Sequence, residues 1–384
     1  MYDIVVVGGG PAGSRSAANL AKDHDVLVIE EHAVSGSPVQ CAGLITERTA
    51  ELSGVRPEIL NKLYGARVIF PDGNDIVVRS EGCKALLIDR GDLDRKMADA
   101  AMDAGAEYRY STRYLSHRIE KGHAVIETDK GTIESRVIIG ADGHSSAVAR
   151  SVPDNFPKEY LRGLEYDIRH TMDDQGLVVI RIGSDVAPGL FSWEVPFGEF
   201  SRVGLCCSWD KGLPTVFMRN VIRKAGLEDR KIVAKYSGKV PVGGRRRSYA
   251  DNMLLIGDAA SQVKPVSAGG LYPALSCVQH LCRTVNGSLD SGDLSAVSLS
   301  SYERAWKKDI GKELDRAYRL RKLYVRFSDD DMNRIRRNIG SERANSILND
   351  VDIDNPSRYA SRALRYLPTM AKLASVVLRS AVRR

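Results

Sequence analysis

The sequence predicts an α/β protein: a Rossmann-like core, an antiparallel sheet inserted into it, and a helical C-terminal region. Three observations carry that prediction. A β-branched run at the N-terminus leads directly into a glycine-rich turn. Two later apolar runs end in Asp-Gly and Gly-Asp at residues 142–143 and 257–258. Between these, residues 160–250 lose the helical period and read as short strands and turns. With 384 residues, 43% of them hydrophobic and 27% charged, the chain can bury a large core in two or three lobes and has no reason to be disordered.

The first element is Ile4-Val5-Val6-Val7, continuous and β-branched as a strand buried on both faces requires. It has no basic segment before it and stops after four residues at three glycines, so it is read as a strand and not as a secretory leader. No run approaches the roughly 18 apolar residues that span a bilayer, and a cytoplasmic location is expected. Gly8-Gly9-Gly10-Pro11-Ala12-Gly13 satisfies G-x-G-x-x-G, and an alanine-rich helix follows to about Lys22. Val26 to Ile29 is the second strand, ending on Glu30, 22 residues beyond Gly8. The chemistry of a dinucleotide site explains each part. Gly8 permits the tight turn, Gly10 admits the pyrophosphate to the backbone, and Gly13 lets helix and strand pack closely. The helix N-terminus offers free N–H groups and the positive end of its dipole, and Glu30 can accept from the ribose hydroxyls.

Val137 to Ile139 and Met253 to Ile256 are further buried strands, ending at Asp142 and Asp258. Arg90 opens an amphipathic helix within Asp89-Arg90-Gly91-Asp92-Leu93. Pro265-Val266-Ser267-Ala268-Gly269-Gly270-Leu271 then precedes a helix from Tyr272 to about Val285. In this order the motifs are similar to those of the flavoprotein monooxygenase superfamily, with an FAD fold of the glutathione-reductase/p-hydroxybenzoate-hydroxylase type. The resemblance implies FAD as cofactor, Asp258 on its ribityl chain, Arg90 reaching it from the side, and Gly270 and Leu271 beside the flavin ring. Asp142 and Asp258 both have a plainer reading as strand-end turn residues or helix caps. No second G-x-G-x-x-G sits between a strand and a helix, so a separate NAD(P)H domain is not expected.

In the middle lobe, Leu177 to Ile182 and Arg202 to Trp209 read as strands. Phe191-Ser192-Trp193-Glu194-Val195-Pro196, followed by Val203-Gly204, is similar to the Y-x-W-x-F-P…V-G signature of the geranylgeranyl reductase family. Gly36-Ser37-Pro38-Val39-Gln40-Cys41 resembles that family's G-x-P-V-x-C loop, and the likeness covers about residues 1–330. It implies reduction of geranylgeranyl double bonds on an archaeal-type isoprenoid lipid or its precursor. It also places Cys41, Ala42 and Gly43 near the flavin, with Cys41 as a catalytic candidate, and Phe191, Trp193 and Pro196 along the substrate. Phe191 stands where tyrosine is usual and Val195 where phenylalanine is usual. Two rivals stay open: a flavin monooxygenase or halogenase, whose W-x-W-x-I-P motif also resembles residues 191–196, and a non-catalytic prenyl-lipid carrier. The electron donor, ferredoxin or NAD(P)H, is left open.

The lobe boundaries expected are 1–65, 85–155 and 250–295 for the FAD-binding lobe, 66–84 and 156–249 for the substrate lobe, and 296–384 for the helical region. Six cysteines without C-x-x-C spacing and seven scattered histidines suggest neither a disulfide scaffold nor a metal site. The net charge of +7 is concentrated at the end: Ser357 to Arg384 holds seven basic residues and no acidic ones. Apolar residues recur there with a 3.6-residue period, which suits either a solvated surface helix or an interfacial helix in peripheral contact with anionic lipid. Without aromatic interleaving, no nucleic-acid partner is expected.

Overall fold

The computed structural model describes residues 1–39, 41–339 and 352–355. The basic stretch from Ser357 to Arg384 lies outside the described residues.

The apolar run at the N-terminus forms strand β1 (Tyr2–Val7), and its period of two divides it between two cores. Ile4 and Val6 enter one core, and Val5 and Val7 enter the other. Its neighbours divide in the same way. These are β2 (Val26–Ile29) and β11 (Gly131–Gly140), both parallel to β1, and β18 (Met253–Leu255), parallel to β11. Helices α1 (Pro11–Leu20), α6 (Leu271–Ser291) and α7 (Ala296–Trp306) cover the first face. A meander of β9 (Tyr114–Glu120), β10 (His123–Thr128) and β11, with the short α4 (Ala147–Arg150), covers the second. β8 (Glu107–Arg109) and β17 (Tyr249–Ala250) close the edges.

A small sheet of β3 (Leu44–Ile45), β4 (Ile59–Leu63) and β7 (Ala85–Ile88) lies beside α2 (Glu47–Ser53) and leads into α3 (Arg90–Asp103). The substrate lobe is a seven-stranded sheet in the order β16-β12-β15-β14-β13-β5-β6. Its strands are β5 (Gly65–Ile69), β6 (Asp75–Arg79), β12 (Glu159–Arg169), β13 (Leu177–Arg181), β14 (Ser192–Phe197), β15 (Phe200–Ser208) and β16 (Ile232–Val242). It is antiparallel except where β13 runs parallel to β5. That junction joins the two inserted pieces, whose connection passes through the FAD-binding lobe and so cannot be a hairpin. One face packs α5 (Pro214–Ala225), and the other faces the FAD-binding lobe.

The helical reading from Ser298 to Ser328 resolves into α7, a π turn at Lys307–Gly311 and α8 (Lys312–Tyr324), followed by α9 (Asp329–Ile339). Arg321 of α8 is buried and bridges Glu159, the Gly189 carbonyl and the Ser208 hydroxyl. Tyr324 donates to the Leu190 carbonyl. The C-terminal helices thereby fix the loop that leads into β14. Among the described residues, no helix is long and apolar enough to cross a membrane.

Candidate active site

The glycine turn separates residues the fold requires from one it does not. Gly8 has φ +105°, and a Cβ there would stand 2.5 Å from the Ala141 carbonyl oxygen. A Cβ on Gly13 would stand 2.0 Å from the Gly8 carbonyl oxygen. Around Gly10 nothing lies within 4 Å of that position. Gly10 is also the N-cap of α1 and offers no side-chain cap, so the helix begins with open N–H groups beside empty space. That is an anion cradle.

Glu30 is held against this turn. Its carboxylate accepts from the Gly9 N–H at 2.7 Å and from the His32 N–H at 2.9 Å, with His32 Nδ1 at 2.6 Å. A carboxylate has about four acceptor sites, so room remains for a ribose.

At the far end of the site, Asp258 follows β18. Burial pushes its carboxyl up to about 6, with Arg90 and Arg245 pulling the other way. No hydrogen bond from a described residue reaches it, and a Cβ on Gly270 would stand 2.7 Å from its Oδ1. The hydroxyls of Ser261 and Ser267 and Nε of Arg245 are likewise buried without partners among the described residues. Gly270 caps α6 without a side chain, as Gly10 does for α1. Buried polar groups are normally paired, so this cluster is built for a polar ligand. Leu271 packs its side chain against the α3 core, which leaves its backbone for any ligand contact.

Arg90 pairs with Asp94 at 3.1 Å, and Cys41 lies near enough to act on its charge. Burial opposes its charge, but Asp94 and then Cys41 outweigh burial and hold the guanidinium above its usual value. The Gly43 N–H also points at Cys41 Sγ, at 3.4 Å. Gly43 has φ +77°, and a Cβ there would meet the Ile88 carbonyl at 2.5 Å. The Ala42 carbonyl accepts from Arg202 of β15 at 3.1 Å, tying this loop to the substrate sheet. The Asp142 carboxylate is occupied by the Ser146 hydroxyl and the N–H groups of Ala147 and Val148, which fulfils its plainer reading as a cap.

On the sheet face toward this loop, Phe191 and Trp193 meet edge-to-face at 6.2 Å. They pack with Leu161, Leu190 and Cys206, and across the lobe boundary with Val263 and Ala268. Val195 continues this face with Leu63 and Leu87. Pro196 is one position out of phase and falls by strand alternation on the opposite face with Glu194. The Gly of the V-G pair has a steric reason: a Cβ on Gly204 would stand 2.4 Å from the Trp193 indole.

Sequence reasoning missed two clusters. Glu165 accepts from Trp193 Nε1 at 2.8 Å, beside the Arg202–Asp167 pair. Lys264 is buried against Asp354 at 3.1 Å, and Thr46 donates to the same carboxylate, so residues 352–355 strap the loop before α6. The signal for Glu165 was there: an acid in a strand otherwise facing a core. The Lys264–Asp354 pair, 90 positions apart, left none.

An anion cradle and an orphaned carboxylate in one lobe, meeting an aromatic wall on the other, define an FAD-dependent oxidoreductase. Residues 1–172 match the family model described as FAD binding domain. A digeranylgeranylglycerophospholipid reductase of Methanothrix thermoacetophila is 32% identical over 362 residues, covering 88% of this chain and 92% of its own. The chain belongs to that reductase family. A geranylgeranyl bacteriochlorophyll reductase-like structure from Thermoplasma acidophilum superposes with TM-score 0.85 at 23% identity, over 98% and 99% of the two chains. The halogenase PltM with phloroglucinol and FAD superposes at 0.71 with 13% identity, over 99% and 96%, a likeness of fold.

Proposed function

We propose that this enzyme saturates the double bonds of geranylgeranyl chains carried by an isoprenoid lipid. The observation that carries the reading is the apolar wall of Leu190, Phe191, Trp193 and Val195, presented by the inserted sheet toward the Cys41 loop and the Asp258 cluster. A wall without a ring of polar donors suits a long hydrocarbon. The family's printed name supplies the lipid class.

FAD, when bound and reduced, supplies hydride. Gly8, Gly10, Gly13 and the start of α1 would hold its pyrophosphate, Glu30 its ribose, and Asp258, Gly270 and Leu271 the region nearer the flavin. The chain's own residues must align the alkene, exclude water and deliver a proton, because an isolated trisubstituted alkene cannot stabilise a carbanion. Cys41, beside Arg90 at the lobe junction, would line the reacting end. Electrons would arrive from ferredoxin or NAD(P)H as an external partner, and the lipid from a membrane surface.

Anaerobic incubation of the dithionite-reduced enzyme with a geranylgeranylated lipid, followed by mass spectrometry, tests the reading. The expected product gains two hydrogens per saturated bond. Unchanged lipid, or oxygen consumed in step with a hydroxylated or halogenated product, would overturn it.

A further inference from the structure

The reaction needs a proton as well as a hydride, and the substrate-facing sheet holds an acid that the family motifs do not mark. Glu165 lies in β12, 5% exposed, on the face shared with Leu161, Trp193 and Cys206. One carboxyl oxygen, Oε2, is fixed by the Trp193 indole N–H at 2.8 Å. The other, Oε1, has Arg202 Nε at 3.8 Å, too far for a hydrogen bond. Arg202 instead gives its close contacts, at 2.7 and 3.0 Å, to Asp167, which also accepts from Tyr236 at 3.1 Å. Two buried carboxyls thus share one guanidinium, and the geometry assigns the ion pair to Asp167.

Glycines line the floor beside Glu165, with the Trp193 indole and the Cys206 thiol against them. Gly163 pairs with Gly238 on one side and Cys206 on the other, and Gly204 stands opposite Glu165 itself under the Trp193 indole. A hydrocarbon chain lying along Phe191 and Trp193 would pass over this floor with Oε1 at its flank.

We infer that Glu165 is the general acid that protonates the alkene, held in place by Trp193. The inference rests on the alkene-reduction reading above. In the step, the π bond is lost; one carbon takes the Glu165 proton and the other takes a hydride from the reduced cofactor, which is oxidised by two electrons. The carboxylate is then reprotonated from solvent. Cys41 is less suited to the role, because the Gly43 N–H engages its sulfur as an acceptor. Burial first, and Asp167 in addition, push the Glu165 carboxyl up to about 7 against the pull of Arg202 and Trp193. The other titrating groups facing it are Cys206 from β15 and Tyr236 from β16. An acid so placed holds its proton near neutrality, where a general acid is most effective.

The test is anaerobic single turnover of reduced enzyme with geranylgeranylated lipid, on wild type, Glu165→Gln and Glu165→Asp, with a pH titration of tryptophan emission on flavin-free protein. Glutamine keeps the acceptor for Trp193 but has no proton to give. We expect Glu165→Gln to retain FAD and slow reoxidation by about 10²–10⁴-fold, with partial rescue by Glu165→Asp. The wild-type rate should fall as pH rises through about 7, and an emission inflection there should vanish in Glu165→Gln. Wild-type rates in Glu165→Gln overturn the assignment and leave the reductase reading standing. A wild type that does not react with the lipid removes the reading itself, and the assignment with it. Should Glu165→Gln lose its flavin, a wild-type rate that is flat from about pH 6 to 9 overturns the assignment.

Discussion

At the scale of single residues, Asp258 is a carboxylate positioned for a ligand at a cost to the empty protein. Its folded value is raised, so its contribution to stability is present below about pH 4 and lost as pH rises through about 6. Removing the charge in Asp258→Asn should therefore stabilise the flavin-free protein at pH 7.5, by at most roughly 3 kcal/mol, and make no difference near pH 4. Asp258→Ala should purify with much less flavin than wild type. Unchanged flavin content would sink the placement of Asp258 on the cofactor. Cys41 lies beside Arg90, and Cys41→Ser should slow single-turnover alkene reduction while FAD content holds. Wild-type kinetics in that variant would reduce Cys41 to a lining residue. Both aspartates ended apolar strands in the sequence and looked alike there. What separates them is their surroundings: Asp142 meets three donors from its own helix, and Asp258 meets none among the described residues.

At the scale of elements, the glycine turn makes a distinction that the motif alone does not. Gly13→Ala would drive a methyl group into the Gly8 carbonyl, so the turn itself should fail and the melting temperature should fall by several degrees. Gly10→Ala meets no protein atom, so the flavin-free protein should melt as wild type does, while FAD affinity drops at least tenfold. If Gly10→Ala leaves FAD affinity unchanged, the pyrophosphate does not lie beside that residue. Strand β14 is the second instructive element. Its period of two carried Phe191, Trp193 and Val195 to the same wall, but it carries the Pro196 side chain to the other side. A linear signature does not record that alternation. The signature's glycine, Gly204, was legible as a motif position; its reason appeared only when β15 was paired with β14 and the indole lay across it.

At the scale of the whole molecule, the two lobes meet along the seam where Arg202 reaches the Ala42 carbonyl and Val263 and Ala268 touch the aromatic wall. The substrate proposed for that seam is insoluble, so the enzyme must meet a bilayer. The seven basic residues between Ser357 and Arg384 are the proposed contact. Each basic residue near an anionic surface contributes roughly 1 kcal/mol, an attraction that salt weakens. Truncation after Asn355 keeps the strap of residues 352–355 on Lys264 and removes the basic stretch. The truncated protein should bind FAD normally but lose salt-sensitive flotation with anionic vesicles. Flotation equal to that of the full chain would show that the stretch does not make the membrane contact.

The sequence by itself determined the core strands, the glycine turn, Glu30, the cofactor class and the reductase family. These are local: a β-branched run, a turn that only glycine can make and an acid at fixed spacing are each specified within about 30 residues. The tertiary structure alone decided which polar groups were left without partners and which acid stands beside the apolar wall. Glu165 owes its surroundings to Trp193, Arg202, Asp167 and Tyr236, drawn from four strands, and to the burial that their pairing creates. Desolvation and hydrogen bonding depend on what lies across the sheet, and spacing along one strand does not encode that.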